Sequence, residues 1–241
     1  MILQRALKLV FLSSVAACTE DGASAAARAR ISDSSGGTVS LASSPYRAIT
    51  LTGAGSVAGR VNPGGEALVW VDDISAGKPI GEIRRRTITI ENGQFVPRIQ
   101  DVPVGTTINV FTRDRTGHSA TFVRGGEQVA EVRTMDAGQV VPSEAIASRA
   151  GIVEARMSNP GGGTAYIAAF DHPYHAVTSP DGAFRIDSLP PGTYTIKMWR
   201  AGMVEPLSQR VVVTTGGVGQ VNFGAVAPDT AVAVPAADTV P

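Results

Sequence analysis

The stretch from Ala165 to Trp199 limits what this chain can fold into more than any other. Phe184 and Ile186 alternate with Arg185 and Asp187, and Tyr194, Ile196 and Met198 alternate with Thr195 and Lys197. Alternation with a period of two puts one set of side chains on one face, so both runs predict strands with a single buried side. Asp181-Gly182 and Pro190-Pro191-Gly192 punctuate them. Glycine accepts positive φ and proline presets φ for the entering residue, so the runs beginning at Ala165, Phe184 and Tyr194 read as a β-meander. Trp199 follows the inward series by one residue and is expected on the opposite face, where an exposed indole would be available to a ligand.

Elsewhere the chain carries abundant Gly and Pro and no sustained apolar pattern at helical spacing, so the class is all-β. A chain of 241 residues with 43% hydrophobic content can bury one large core or two small ones, and two modules fit. Twenty-one basic and 21 acidic residues cancel, which leaves no global field for nucleic acid. Arg84-Arg85-Arg86 is short, lacks interleaved aromatics and reads as the solvated start of a strand.

The string D-G-x-F-x-I-x-x-L-P-P-G-x-Y-x-I, Asp181 to Ile196, resembles the carboxypeptidase-regulatory-like domain, a small transthyretin-like β-sandwich. That domain opens on a strand of the form G-x-V-x-G-x-V. Gly55-Ser56-Val57-Ala58-Gly59-Arg60-Val61 matches it, and after an Asn62-Pro63-Gly64-Gly65 turn a second strand runs from Ala67 to Val71. The opening precedes the closing half by far more than a hairpin needs. The resemblance therefore implies a discontinuous domain, residues 46–73 with 171–225, around or behind a module at 74–170. Gly53-Ala54-Gly55-Ser56-Val57-Ala58 formally fits a dinucleotide-binding pattern, but a strand follows it where a phosphate-cradling helix would be required.

Within 74–170, Thr87 to Ile90 reads as a strand that reaches a tight Asn92-Gly93 turn. Gln94-Phe95-Val96-Pro97, Val104-Gly105 and then Asp114-Arg115-Thr116-Gly117-His118 resemble a cupredoxin-like domain, a plastocyanin-like Greek-key sandwich. In copper-binding members that His is the first ligand, and the rest come from C-x-x-H-P-x-M after a strand beginning G-x-V. The strand is present as Gly151-Ile152-Val153, but Met157 stands where Cys is expected, Asn159 or its neighbour where His is expected, and Gly161-Gly162-Gly163 follows. A glycine run predicts a flexible loop where a copper loop should be pre-organised. The pairing of such a module with Asp171-His172-Pro173-Tyr174 and the later D-G-x-F string is similar to a group of bacterial periplasmic proteins.

The start of the chain joins Arg5 and Lys8 to an apolar run, Leu9 to Leu12, and then to Val15-Ala16-Ala17-Cys18. The run is too short to span a bilayer. It resembles a bacterial lipoprotein signal peptide, residues 1–17, which makes Cys18 the lipidated residue and the membrane a partner through its anchor. Residues 18–45 read as a coreless tether and 226–241 as a disordered tail. The expected location is the cell envelope, on its periplasmic side or at the outer membrane. Ordinary secretion, with a soluble product, is the alternative.

A blue-copper centre needs a thiolate with two imidazoles, and Cys18, far upstream, is the only cysteine. A thiolate-free copper site assembled from His118, Met157, His172 and His175 is the second reading. Neither a G-x-S-x-G elbow nor H-E-x-x-H occurs, and an accessory fold brings no catalysis with it. The leading expectation is a non-enzymatic binding or assembly lipoprotein without cofactor, acting on a protein or glycan ligand. A third reading, a carbohydrate-binding accessory module, depends on Trp70, Tyr166, Tyr174 and Trp199 offering a stacking platform.

Overall fold

A computed structural model describes residues 45–82 and 85–224. Cys18, the signal segment, the tether as far as residue 44, Arg84 and the tail at 226–241 lie outside the described residues.

Every regular element among the described residues is a strand. In chain order these are β1 (Arg47–Ala48), β2 (Gly55–Val61), β3 (Leu68–Asp72), β4 (Ala76–Gly77), β5 (Arg86–Glu91) and β6 (Gln94–Val96). Then come β7 (Ile99–Pro103), β8 (Ile108–Thr112), β9 (His118–Arg124), β10 (Glu127–Met135), β11 (Val140–Ser143) and β12 (Gly151–Met157). The chain finishes with β13 (Thr164–Phe170), β14 (His175–Val177), β15 (Ala183–Leu189), β16 (Gly192–Trp199), β17 (Leu207–Val213) and β18 (Val218–Phe223).

One sandwich faces a five-stranded sheet, β10-β9-β12-β13-β7, against a four-stranded one, β11-β8-β5-β6. Its core holds Ile88, Ile90, Val110, Phe122, Val153 and Ile167, the inward members of alternating strands. The β5–β6 turn has φ 52° at Asn92 and 68° at Gly93. Two successive positive φ values define the hairpin turn for which Asn-Gly is suited. The second sandwich faces β14-β3-β16-β17 against β15-β2-β18.

In that second sandwich β2 lies between β15 (antiparallel) and β18 (parallel), and β3 lies between β14 and β16. Strands from before the long excursion thus supply an interior strand to each sheet. The chain makes its parallel approach at Gly59 so closely that a Cβ there would sit 1.6 Å from the Val221 carbonyl oxygen. Ile74 packs into the second core, β4 pairs with β1, and the Lys78 N–H donates to the Tyr174 hydroxyl at 2.7 Å. The second sandwich therefore keeps the chain through Lys78, past the boundary expected at residue 73.

β3 and β13 are buried on both faces. Val69 and Val71 point into the second core while Leu68 and Trp70 point away from it, and Ile167 and Ala169 point into the first core while Ala168 and Phe170 point away. The outward sets meet, together with Trp199, in a third apolar cluster between the sandwiches. A strand covered on both sides needs an unbroken apolar run, which Leu68-Val69-Trp70-Val71 and Ile167-Ala168-Ala169-Phe170 provide.

Candidate functional site

His118 opens β9, and its register alternates inward with Ala120, Phe122 and Arg124, so the ring is only 5% exposed. A buried imidazole must have its nitrogens satisfied. Nε2 lies 2.8 Å from Asp114 Oδ2, and Nδ1 accepts from the Asn159 side-chain amide at 3.2 Å. An amide N–H at Nδ1 with Nε2–H facing a carboxylate is the neutral tautomer that uses both sites. Asp114 is fixed in turn, since the Asn92 and Gly93 N–H groups donate to its two oxygens at 2.7 and 2.8 Å. The Gly93 and Asn92 N–H groups and the His118 ring hold this carboxyl below its ordinary range. The hairpin turn thus orients Asp114, and Asp114 orients His118.

The loop after β12 is tied down rather than loose, which corrects the expectation drawn from its glycines. Ser158 N–H donates to Ser119 O at 2.8 Å, Gly162 N–H to Asn159 O at 2.9 Å, and Gly163 N–H to Gly93 O at 3.0 Å. The glycines serve close approach: a Cβ on Gly162 would lie 2.4 Å from Met157 Cβ, and one on Gly163 would lie 2.5 Å from Gln94 Oε1. Met157 pairs with Ala120 across β12 and β9 and belongs to the first core.

The other two histidines lie elsewhere. Met157 is beside the Thr164 end of β13, whereas His172 and His175 follow its Phe170 end. Six residue steps at about 3.3 Å separate those ends, roughly 20 Å. His175 stacks on Phe170, centroids 4.2 Å apart and 9° between planes, and its Nδ1 is 2.7 Å from Asp101 Oδ2. Burial pushes the Asp101 carboxyl up, but the His175 hydrogen bond and charge outweigh it and leave the group below its ordinary range. His172 is 1% exposed, and its Nδ1 accepts from Tyr174 N–H at 3.1 Å. Burial, with His175 beside it, brings its pKa down to about 3.

The residues therefore do not fit copper as a set. The Nδ1 lone pair of His118 is engaged by an amide, Met157 is packed in a core, and the remaining imidazoles are a strand's length away. Among the described residues no group of three His, Cys, Asp or Glu side chains is placed to hold a metal ion. The stacking platform fails as well. Trp199 does face away from Ile196 and Met198, but it is 6% exposed, sits edge-on to Tyr166 at 5.0 Å, and donates from Nε1 to Met203 O. Trp70 and Tyr174 are also buried and Tyr166 is half-buried against Trp199, so the four side chains suggested for a sugar surface form no exposed platform. Sequence reasoning missed Asp101, whose partner His175 lies 74 residues away with no local pattern to announce it.

These residues define an all-β protein of packed sandwiches. No family model matches the chain, and no curated protein matches it. Solved structures similar to part of it include copper proteins. A copper-containing nitrite reductase from Thermus scotoductus SA-01 is 18% identical over 36% of this chain, with a TM-score of 0.32, and this chain spans 22% of its length. A purple cupredoxin from Nitrosopumilus maritimus is 18% identical over 34% of this chain and 97% of its own, with a TM-score of 0.31. An oxidised amicyanin variant is 17% identical over 34% of this chain and 79% of its own, at the same TM-score.

Proposed function

We propose that the chain is a non-enzymatic binding or assembly protein of the bacterial cell envelope, lipid-anchored through Cys18, in which the first sandwich is a cupredoxin-like scaffold without a working copper site. The observation that carries this reading is the His118 ring, whose two nitrogens are both used inside the protein, by Asp114 and by Asn159. A ligand imidazole presents a free lone pair to the metal and orients itself through its other nitrogen. His118 keeps the orienting carboxylate and gives the lone pair to an amide. The second sandwich, with strands from both halves of the chain, corresponds in this reading to a carboxypeptidase-regulatory-like domain, an accessory fold that presents surface rather than chemistry. Metal analysis of protein taken from a membrane fraction tests the reading: copper well below one per chain is expected. Stoichiometric copper that disappears in His118→Ala would replace it with a copper-handling or electron-transfer role.

A further inference from the structure

The third apolar cluster lies between the sandwiches rather than within either. From the second sandwich come Leu68, Trp70 and Trp199, and from the first Ala168 and Phe170, all buried. Trp70 and Phe170 are in ring contact at 6.1 Å, and Trp199 meets Tyr166 edge-on. A polar pair sits in the same place: His175 of β14, in register with Trp70, reaches across to Asp101 of β7 while its face stacks on Phe170 of β13. The chain passes from β13 to β14 through Asp171–Tyr174, and His172 and Tyr174 of that link are themselves buried. Modules that swing relative to one another meet through polar, modest interfaces and slack linkers. This contact has a buried aromatic centre, a buried link and an oriented His175–Asp101 hydrogen bond, as the inside of a single domain has.

We infer that this junction joins the two sandwiches into one cooperative unit, with the His175–Asp101 pair on Phe170 as its lock, so that the first sandwich neither swings nor unfolds apart from the second. Whatever grips one sandwich is then rigidly coupled to the other.

Both tryptophans of the chain, Trp70 and Trp199, belong to the junction, so indole emission reports it while far-ultraviolet circular dichroism reports the strands. In urea titrations of the full chain, the red shift in emission and the loss of strand signal should share one midpoint. Asp101→Ala, at a carboxyl 29% exposed on the rim, should separate them, with the emission shifting at lower urea. Phe170→Ala should do the same more strongly, and if it fails to fold, Asp101→Ala decides. An emission change that precedes strand loss in the unaltered protein would overturn the inference. So would a single shared midpoint in Asp101→Ala.

Discussion

His118 and His172 show how two buried imidazoles in one chain are handled differently. The first is held by a carboxylate on one side and the Asn159 amide on the other, with Met157 paired to Ala120 two residues along the same strand. Met157→Cys with Asn159→His would supply a thiolate and a second imidazole beside the first, the donor set of a blue site. The double variant is expected to develop an intense visible thiolate-to-copper band with Cu(II), and Asn159→His alone is expected to develop none. His172 instead is kept neutral. Its folded pKa, about 3, lies below the ordinary 6.5, so the unfolded chain takes up a proton before the folded one does. Its contribution to stability is complete above pH 6.5 and is lost as pH falls towards 3, at up to about 1.4 kcal/mol per pH unit. Between pH 6.5 and 4.5 the unfolding midpoint should fall in the wild type and fall less in His172→Asn, which retains an acceptor for Tyr174 N–H. Parallel curves would show that the ring titrates unhindered.

At the level of strands, β2 and β3 carry a consequence out of proportion to their length, because each is flanked on both sides within a sheet. Removing residues 46–73 would leave β15 and β18 without a shared partner and open an edge between β14 and β16. The remaining chain is expected to lose the cooperative unfolding of its C-terminal half, and a stable, cooperatively folding fragment beginning at Ala165 would refute this. The strands of this layer are readable from sequence, but their pairing is not: β13, β15 and β16, expected to form a β-meander, lie in three different sheets because β2 and β3 take the places beside β15 and β16. Alternation fixes the inner faces of β15 and β16, Asn92-Gly93 marks its hairpin, and the Gly55–Val61 motif is a strand over those same residues. The junction is less readable because the local rule points the wrong way. Trp199 stands on the non-core face of an amphipathic strand, and alternation alone assigns that face to solvent. The continuous apolar runs at Leu68–Val71 and Ile167–Phe170 were the available signal for burial on both faces. The Gly161–Gly163 loop differs from its sequence expectation for a related reason: glycine is used there for close approach, and the bond from Gly163 N–H reaches Gly93, 70 residues away.

For the molecule as a whole, the proposal is of an anchored protein that binds through the surface of its two sandwiches. Cys18→Ala should release the protein from membranes, since several acyl chains hold a protein where one holds it only marginally. A wild-type protein already soluble and of unmodified mass would remove the anchor from the proposal. The proposal that the first sandwich is scaffold rather than metal centre turns on the state of one ring. Long-range ¹⁵N–¹H correlation spectra of His118, recorded before and after a single equivalent of diamagnetic Cu(I), read that state directly. The expected result is the tautomer protonated at Nε2 with Nδ1 as acceptor, unchanged by copper. A stoichiometric shift at Nδ1, with release of the Asn159 amide, would contradict it.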